Sequence, residues 1–395
     1  MHQEQGGSGN APSAKFQVGA SGHQYRPAKV QSRSQDGNLA SRGLSHLSGS
    51  DFRPQNSRLD TVFLHPLQRA TRRINRRLFS KVTIQLTIGT MAATLTPEQL
   101  TTYFNRIEFP EHYRRNVKHD YDFLAVLQAY HISAIPYENL GLHYSADAHI
   151  PLDLPSLFAK CTQNGRGGYC MENATFFNVV LRSLGFSAYM AGARARPRVD
   201  FVPRGDFTGW MHVVNIITLP NSPTKYVMDV GFGGDMPTKP LPLVSGPSTL
   251  NIGTQEVRLN YAPLPKSHSN NPVWIYEYRN QPTDPWNAAF SFTETEFLEQ
   301  DLEVLNFYTS KDPRCFQTRM VLVVKFLREG DRVYGKKMLI DGVIKLNDGG
   351  RTRTVFTCET EDERTSHLKT EFGIGLTPFE KQDIFSRPTA LRKQD

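Results

Sequence analysis

The chain of 395 residues is long enough for two or three packed domains with a large buried core. No run approaches the ~20 consecutive apolar residues that a membrane-spanning helix needs, and residues 1–20 lack the apolar centre of a signal peptide. Four cysteines without a C-x-x-C pair or zinc-like spacing argue against a disulfide scaffold and against a metal site. We therefore expect a cytoplasmic protein with free thiols and no bound metal.

The net charge of +8 belongs to the N-terminal part of the chain. Residues 1–90 contain thirteen Lys or Arg against four Asp or Glu, which leaves a balance of −1 for the remainder. Because residues 1–60 are polar and show no apolar period, we predict that 1–90 form a disordered basic tail. The basic cluster in 69–81 and the apolar run 82–88 leave a nucleic-acid or membrane arm, an organelle-targeting helix and a solvated tail or gene-model extension as interpretations. We favour the last, and expect no nucleic-acid partner.

Helical signals dominate residues 91–186, where we predict a helical bundle. Thr96, Pro97 and Gln99 form a capping-box pattern with proline at the first helical position. A second helix is predicted over 122–131 from its apolar spacing. A third is predicted to begin at Cys170.

Short β-rich runs follow, separated by clusters of Pro, Gly and Asn. Over 187–303 they predict a β-barrel or strongly bent sheet, with strands at 210–219, 225–230, 256–261 and 273–279. Residues 304–395 mix predicted strands and one helix, at 318–326, 332–340, 352–357 and 362–372. The predicted fold class is α+β, with the tail, bundle, barrel and C-terminal α/β domain in that order.

The third helix carries the first candidate catalytic residue. An apolar stripe recurs at helical spacing, and Gly185 is placed to end the helix; its members are Cys170, Ala174, Phe177, Leu181 and Leu184. Cys170 thus lies in the first turn, where the helix N-terminus favours a thiolate. The glycine-rich loop 165–168 before it allows close approach to the sulfur.

Two later strands supply partners for such a thiol. His212 lies on an alternating strand, and Asp229 ends the next strand just before Gly231. A cysteine nucleophile commonly uses a histidine base that a carboxylate orients. Each residue alone has an ordinary structural explanation, but the ordered set beside glycine-rich loops favours a Cys170, His212, Asp229 triad.

Two further features adjoin these residues. Arg166 stays charged, so burial beside the loop would require a carboxylate partner, for which Glu138 is the candidate. The turn 231–234 offers backbone N–H groups that suit a phosphate, although an ordinary turn explains it equally well.

The motifs that contain these residues resemble those of the arylamine N-acetyltransferases, with the character of a filamentous-fungal member. The matching segments are Ile135-Pro136-Tyr137-Glu138-Asn139-Leu140, Arg166-Gly167-Gly168-Tyr169-Cys170, the strand of His212, and Asp229-Val230-Gly231-Phe232-Gly233. The resemblance covers about residues 95–390. It implies a helical bundle, a β-barrel and an α/β lid with a cysteine-protease-like core, divided at 91–186, 187–303 and 304–395.

The resemblance also assigns roles. It makes Cys170, His212 and Asp229 the triad and Arg166 with Glu138 a structural ion pair. It places Tyr137 and Phe232 in the acceptor pocket, and Gly231 and Gly233 near the pyrophosphate of coenzyme A. Met211, where relatives often have a small residue, narrows the site, and the insertion-like stretches 194–207 and 267–272 shape the site or its rim.

The implied reaction is ping-pong transfer of an acyl group from coenzyme A through an acyl-Cys170 intermediate. Acceptors would be arylamines, arylhydroxylamines or hydrazines, as in xenobiotic metabolism. Acetyl-, propionyl- and malonyl-coenzyme A remain open as donors. We expect a monomer or weak dimer.

Two other classes of function remain open from the residues themselves. A cysteine hydrolase or transglutaminase-like enzyme can use the same order of Cys, His and Asp. A binding protein that acts through its basic tail, with an incidental thiol, is the non-enzymatic alternative.

Deleting residues 1–90 separates an enzyme from a tail-dependent binding protein. We expect acyl transfer by the truncated chain to stay within about threefold of the full chain, because all candidate catalytic residues lie beyond the deletion. Acyl transfer from coenzyme A thioesters measures this. Loss of function in a truncated chain that is still folded by circular dichroism would support the binding protein.

Overall fold

The computed structural model describes residues 93–392, so the predictions for the tail at 1–90 lie outside the described residues. Within 93–392 the fold is α+β, as predicted. The helices are α1 Pro97–Arg106, α2 Glu111–Arg115, α3 Tyr121–Ala134, α4 Leu154–Phe158, α5 Cys170–Ser183, α6 Glu299–Lys311, α7 Glu361–Phe372 and α8 Pro378–Asp383.

The same part of the chain contains strands that pair into two large sheets and one small hairpin. They are β1 Tyr137–Glu138, β2 Ser187–Ala195, β3 Arg198–Val199, β4 Val202–Pro203, β5 His212–Thr218, β6 Lys225–Met228, β7 Leu241–Pro242, β8 Ser248–Leu250, β9 Glu256–Pro263, β10 Pro272–Arg279, β11 Asn287–Glu296, β12 Leu322–Glu329, β13 Arg332–Ile340, β14 Val343–Asp348 and β15 Arg351–Thr357.

Helices occur at the three predicted places in the N-terminal region: α3 extends the predicted 122–131 at both ends, and the short α2 was not predicted. The side chain of Thr96 accepts a hydrogen bond from the backbone N–H of Gln99, and Gln99 Oε1 accepts one from the backbone N–H of Thr96, which completes the predicted capping box of α1. The third predicted helix is α5, which starts at Cys170. After α5, Gly185 adopts φ +85°, a conformation that glycine tolerates without steric cost.

The eight-stranded sheet has the order β7-β6-β5-β2-β11-β10-β9-β8. Register shifts at Tyr276/Glu277 in β10 and between Phe292 and Glu296 in β11 bend the central strands. The two edge strands β7 and β8 do not pair with each other, so the ladders of the described strands do not close into a barrel. Of the two predicted forms, a β-barrel or a strongly bent sheet, the described strands form the bent, curled sheet.

The five-stranded sheet has the order β1-β12-β13-β14-β15. Its first strand, β1, comes from the helical region and pairs Tyr137 with Val324 and Glu138 with Val323. A bridge also joins Tyr137 to Gly168 in the loop before α5. The C-terminal sheet is therefore connected directly to the backbone that precedes Cys170.

The buried apolar side chains form three clusters. The largest surrounds α3 and α5, the second lies on the curled sheet, and the third packs α7 against the five-stranded sheet. Among residues 93–392, no helix is long and apolar enough to cross a membrane. The division into three domains at 186 and 303 stays a prediction.

A fully buried histidine lies on α3. His131 shares a hydrogen bond of 3.0 Å with the hydroxyl of Tyr103 through Nδ1, and its Nε2 has no partner in the described part of the chain. Burial, together with nearby Arg106, lowers the pKa of His131 to about 3. His131 is therefore neutral in the folded protein throughout the physiological range.

This histidine makes folding stability depend on pH. Its folded pKa is below the ordinary value of about 6.5, so its contribution is complete above pH 6.5 and is lost as pH falls towards 3. Between pH 7.5 and 5, we expect His131 to remove about 2 kcal/mol from the free energy of unfolding. Urea unfolding at the two pH values should show a smaller loss in His131→Gln than in wild type. The exposed-residue control His149→Gln should keep the wild-type difference, and an unchanged difference in His131→Gln would contradict the assignment.

Candidate active site

The three predicted catalytic residues lie at the ends of three adjacent elements. Cys170 is the first residue of α5, His212 the first of β5, and Asp229 follows β6 directly. β5 pairs antiparallel with β6, so the start of β5 and the end of β6 bring His212 and Asp229 to the same end of the two strands. All three side chains are buried, with relative exposures of 4%, 2% and 1%.

The imidazole and the carboxylate form a direct pair. His212 Nε2 lies 2.8 Å from Asp229 Oδ2. The second carboxylate oxygen, Oδ1, accepts the backbone N–H groups of Gly231 at 2.8 Å and Phe232 at 3.0 Å. Because Asp229 occupies Nε2, Nδ1 is the ring nitrogen available to take a proton.

The Cys170 thiol is buried among protein groups rather than exposed to solvent. Its Sγ lies 3.7 Å from the carbonyl oxygen of Met211, the residue before His212. Burial raises the pKa of the Cys170 thiol, as do nearby Cys315 and Asp229. The backbone N–H groups of Cys170 and Met171 at the helix start lower it, as the sequence predicts, but burial outweighs them. Burial thus favours the thiol form of Cys170 over the thiolate.

Glycines allow the surrounding loops to come this close. A Cβ on Gly231 would lie 2.8 Å from the Cα of Cys170, and one on Gly167 would lie 1.8 Å from the carbonyl oxygen of Pro136. Gly233 has φ +92° and lies beside the ring of Tyr137. A side chain at position 231 would separate the turn after β6 from the start of α5, and one at position 167 would separate the loop before α5 from Pro136.

The structure brings Arg166 and Glu138 together, both buried. Arg166 Nε donates to Glu138 Oε1 at 2.9 Å and Nη2 to Oε2 at 3.2 Å, a bidentate pair. Arg166 Nη1 also reaches Glu380 on α8 at 2.9 Å. Although burial disfavours the ionised form, Arg166 and Lys160 lower the pKa of Glu138. The network fixes the loop before Cys170 to β1 and to the C-terminal part of the chain.

Aromatic rings line one side of the triad. The ring of Phe232 is centred 5.1 Å from the imidazole of His212, and Phe290 on β11 lies 5.4 Å from it. Phe232 and Phe290 also contact each other at 4.8 Å. Tyr137 is buried, and its hydroxyl accepts a hydrogen bond from Gln317. The rings suit a flat, weakly polar substrate next to the imidazole.

Several supporting residues were not identified from the sequence. Gln128 on α3 donates to the carbonyl oxygens of Asp229 at 3.0 Å and Pro237 at 2.8 Å. Glu172, at the third position of α5, accepts the N–H of Tyr169 and pairs with Lys160. The position of Glu172 three residues after the N-cap Tyr169 was a signal for a capping role, whereas nothing local marks Gln128.

No group of three or more His, Cys, Asp or Glu residues that could hold a metal ion occurs within 93–392. The four cysteines are free and buried. The turn 231–234, proposed from the sequence to approach a pyrophosphate, lies against the start of α5.

Comparisons with known proteins identify relatives of this chain. A model of the N-acetyltransferase family matches residues 120–381. The N-malonyltransferase FDB2 of Fusarium pseudograminearum is 35% identical over 314 residues, which cover 72% of this chain and 91% of that protein.

Solved structures support the fold. The arylamine N-acetyltransferase from Salmonella typhimurium aligns with TM-score 0.62 and 22% identity, covering 74% of this chain and 99% of that one. The arylamine N-acetyltransferase of Mycobacterium marinum in complex with CoA aligns with TM-score 0.61 and 23% identity, covering 73% and 99%. At these identities the likeness establishes the fold alone. The family match and the Fusarium relative go further: the chain belongs to the arylamine N-acetyltransferase family of acyltransferases.

Proposed function

We propose that the protein transfers an acyl group from coenzyme A to an aromatic amine through a thioester on Cys170. The observation that carries this proposal is the buried His212–Asp229 pair at 2.8 Å, at the sheet edge beside the start of α5. Such a pair supplies a base of fixed orientation next to a thiol that burial keeps protonated.

The first half-reaction forms the acyl-enzyme. His212 Nδ1 takes the proton of the Cys170 thiol as the sulfur attacks the thioester carbonyl carbon. The C–S bond to coenzyme A then breaks, and the departing thiolate takes the proton from the imidazolium. Asp229 stabilises the imidazolium while it exists, since its carboxylate stays on Nε2.

The second half-reaction transfers the acyl group. A neutral amine attacks the acyl carbon, His212 takes a proton from the amine nitrogen, and the Cys170 sulfur leaves and recovers the proton as a thiol. Arylamines, arylhydroxylamines and hydrazines are weak bases, so they remain neutral nucleophiles near pH 7. Phe232 and Tyr137 provide aromatic surface for such acceptors. Detoxification of foreign aromatic amines is the proposed use.

Malonyl-coenzyme A is the donor that we propose first, with acetyl- and propionyl-coenzyme A as alternatives. The support is the printed activity of the Fusarium relative, an N-malonyltransferase. The turn at Gly231 and Gly233 would approach the pyrophosphate, with the N–H of Gly233 as a donor, because Asp229 occupies those of Gly231 and Phe232. We further propose a cytoplasmic monomer or weak dimer, with bundle, curled-sheet and lid domains around a cysteine-protease-like core.

The acyl-enzyme can be observed directly by intact-mass spectrometry. Incubation with malonyl-, acetyl- and propionyl-coenzyme A separately should add one acyl group per chain, and an aromatic amine should remove it. Cys170→Ala should form no adduct, because it lacks the sulfur, whereas Cys358→Ala should load normally. Absence of an adduct from all three donors, with Cys170 still alkylated rapidly, would favour a cysteine hydrolase or transglutaminase-like enzyme instead.

Replacing Asp229 by Asn tests the role of the pair. The amide oxygen can still accept the N–H groups of Gly231 and Phe232, so the turn should remain folded. The amide NH₂ would face Nε2 and force the ring proton onto Nδ1, which then cannot accept the thiol proton. We expect acyl loading to slow about 10²–10⁴-fold, the usual contribution of general-base catalysis. The exposed control Asp206→Asn should load at the wild-type rate. Wild-type loading by Asp229→Asn would refute the assigned role.

A further inference from the structure

A cluster of charged side chains lies beside the turn that follows Asp229. Asp235 pairs with Arg198 on β3, with Nη1 to Oδ2 at 2.7 Å, and with Lys336 on β13, with Nζ to Oδ1 at 3.1 Å. Lys336 also donates to the carbonyl oxygen of Gly234. Burial opposes ionisation of Asp235, but Lys336 and Arg198 lower its pKa well below the usual range. Two cations thus share one carboxylate, and the cluster carries a net positive charge.

The two cations are not equally available to a ligand. The Lys336 side chain is 6% exposed, whereas that of Arg198 is 30% exposed. All the hydrogen bonds of Arg198 to described residues leave from Nη1, and they end on Asp235, the carbonyl oxygen of Phe201 and the hydroxyl of Tyr278. Its Nε and Nη2 therefore remain for an anion, and a guanidinium edge suits a carboxylate.

The ring of Phe232 lies near both the Arg198 guanidinium and the His212 imidazole. The guanidinium carbon of Arg198 lies 5.7 Å from the centre of the Phe232 ring, and that ring is centred 5.1 Å from the imidazole of His212. A malonyl group on Cys170 would extend its carboxylate about 4 Å beyond the thioester carbonyl carbon. An acetyl group ends in a methyl group and has no charge to place near Arg198.

We propose that Arg198 is a donor-specificity residue: its guanidinium receives the terminal carboxylate of a malonyl-type acyl group and so favours dicarboxylic over acetyl donors. This inference rests on the proposed function, because it requires an acyl group on Cys170. Asp235 and Lys336 act as positioning residues. Asp235 holds Nη1, and Lys336 neutralises Asp235 so that the carboxylate does not repel the acyl group.

Arg198 also has a structural role, and the experiment must distinguish that role from donor recognition. It begins the hairpin formed by β3 and β4, whose central residues Asp200 and Phe201 have φ of +50° and +63°. The bond from Nη1 to the carbonyl oxygen of Phe201, at 2.8 Å, helps to hold this turn. Arg196 provides a matched control, because it lies in the same segment and bonds to the carbonyl oxygens of Gly205 and Ala288 rather than to Asp235.

The experiment measures the second-order rate of Cys170 acylation by malonyl- and acetyl-coenzyme A, from coenzyme A release and intact mass, without any amine. In Arg198→Met, malonyl loading should fall about tenfold to a hundredfold, the range for one charge-assisted hydrogen bond. Acetyl loading should stay within about threefold, and Arg198→Lys should retain part of the malonyl preference because it keeps the charge. Arg196→Met should behave as wild type with both donors.

An equal fall with both donors, or unchanged malonyl loading, would overturn the role of Arg198 while leaving the acyl-enzyme proposal intact. A wild-type enzyme that loads acetyl as fast as malonyl would also overturn it. Failure of the wild type to form an adduct with either donor would instead refute the proposed function, and the inference with it.

Discussion

The Asp229 carboxylate is shared between the His212 imidazole and the backbone of the turn that follows it. One oxygen contacts Nε2 and the other accepts two N–H groups, from Gly231 and Phe232. An isolated buried carboxylate is unfavourable, so these bonds are what allow it to lie beneath the imidazole. The same bonds place Gly231 against the start of α5. A Cβ atom added to Gly231 would lie only 2.8 Å from the Cα of Cys170. The Asp229 carboxylate therefore fixes both the orientation of the His212 imidazole and the position of the turn.

Burial of Cys170 has a chemical consequence that its helix position alone does not suggest. A helix N-terminus favours the thiolate, yet in this site the loss of water has the larger effect and raises the pKa of the thiol. A protonated sulfur is a poor nucleophile, and it is also poorly reactive towards oxidants and stray electrophiles. In the proposed mechanism, removal of this proton by His212 is part of the reaction, and it requires the imidazole tautomer that Asp229 favours.

Local patterns in the sequence predicted much of the fold and most of the site. The capping box at Thr96, the stripe that begins at Cys170 and the strand at 332–340 rest on short-range rules, and the structure confirms these elements. The central strands β2 and β11 and the helix α6 were not predicted. In β2, Ser187–Ala195 contains small residues with weak strand preference, and its position follows from pairing with β5 and β11 across the sheet.

The part of the site that sequence reasoning missed is formed by contacts between distant segments. Gln128, on α3, reaches the carbonyl oxygen of Asp229, and no residue near either one in sequence indicates this. The cluster of Asp235, Arg198 and Lys336 draws on the turn after β6, a short hairpin and the five-stranded sheet. The stretch 194–207 was predicted to shape the site or its rim. In the structure it contains Arg198, whose Nε and Nη2 donate no hydrogen bond to the described residues. The proposed catalytic residues depend on local motifs, whereas the adjacent charge cluster depends on tertiary contacts. Under the proposed function, substitutions in the cluster would change donor selection without altering the proposed triad, which would give one family a physical route to different acyl donors.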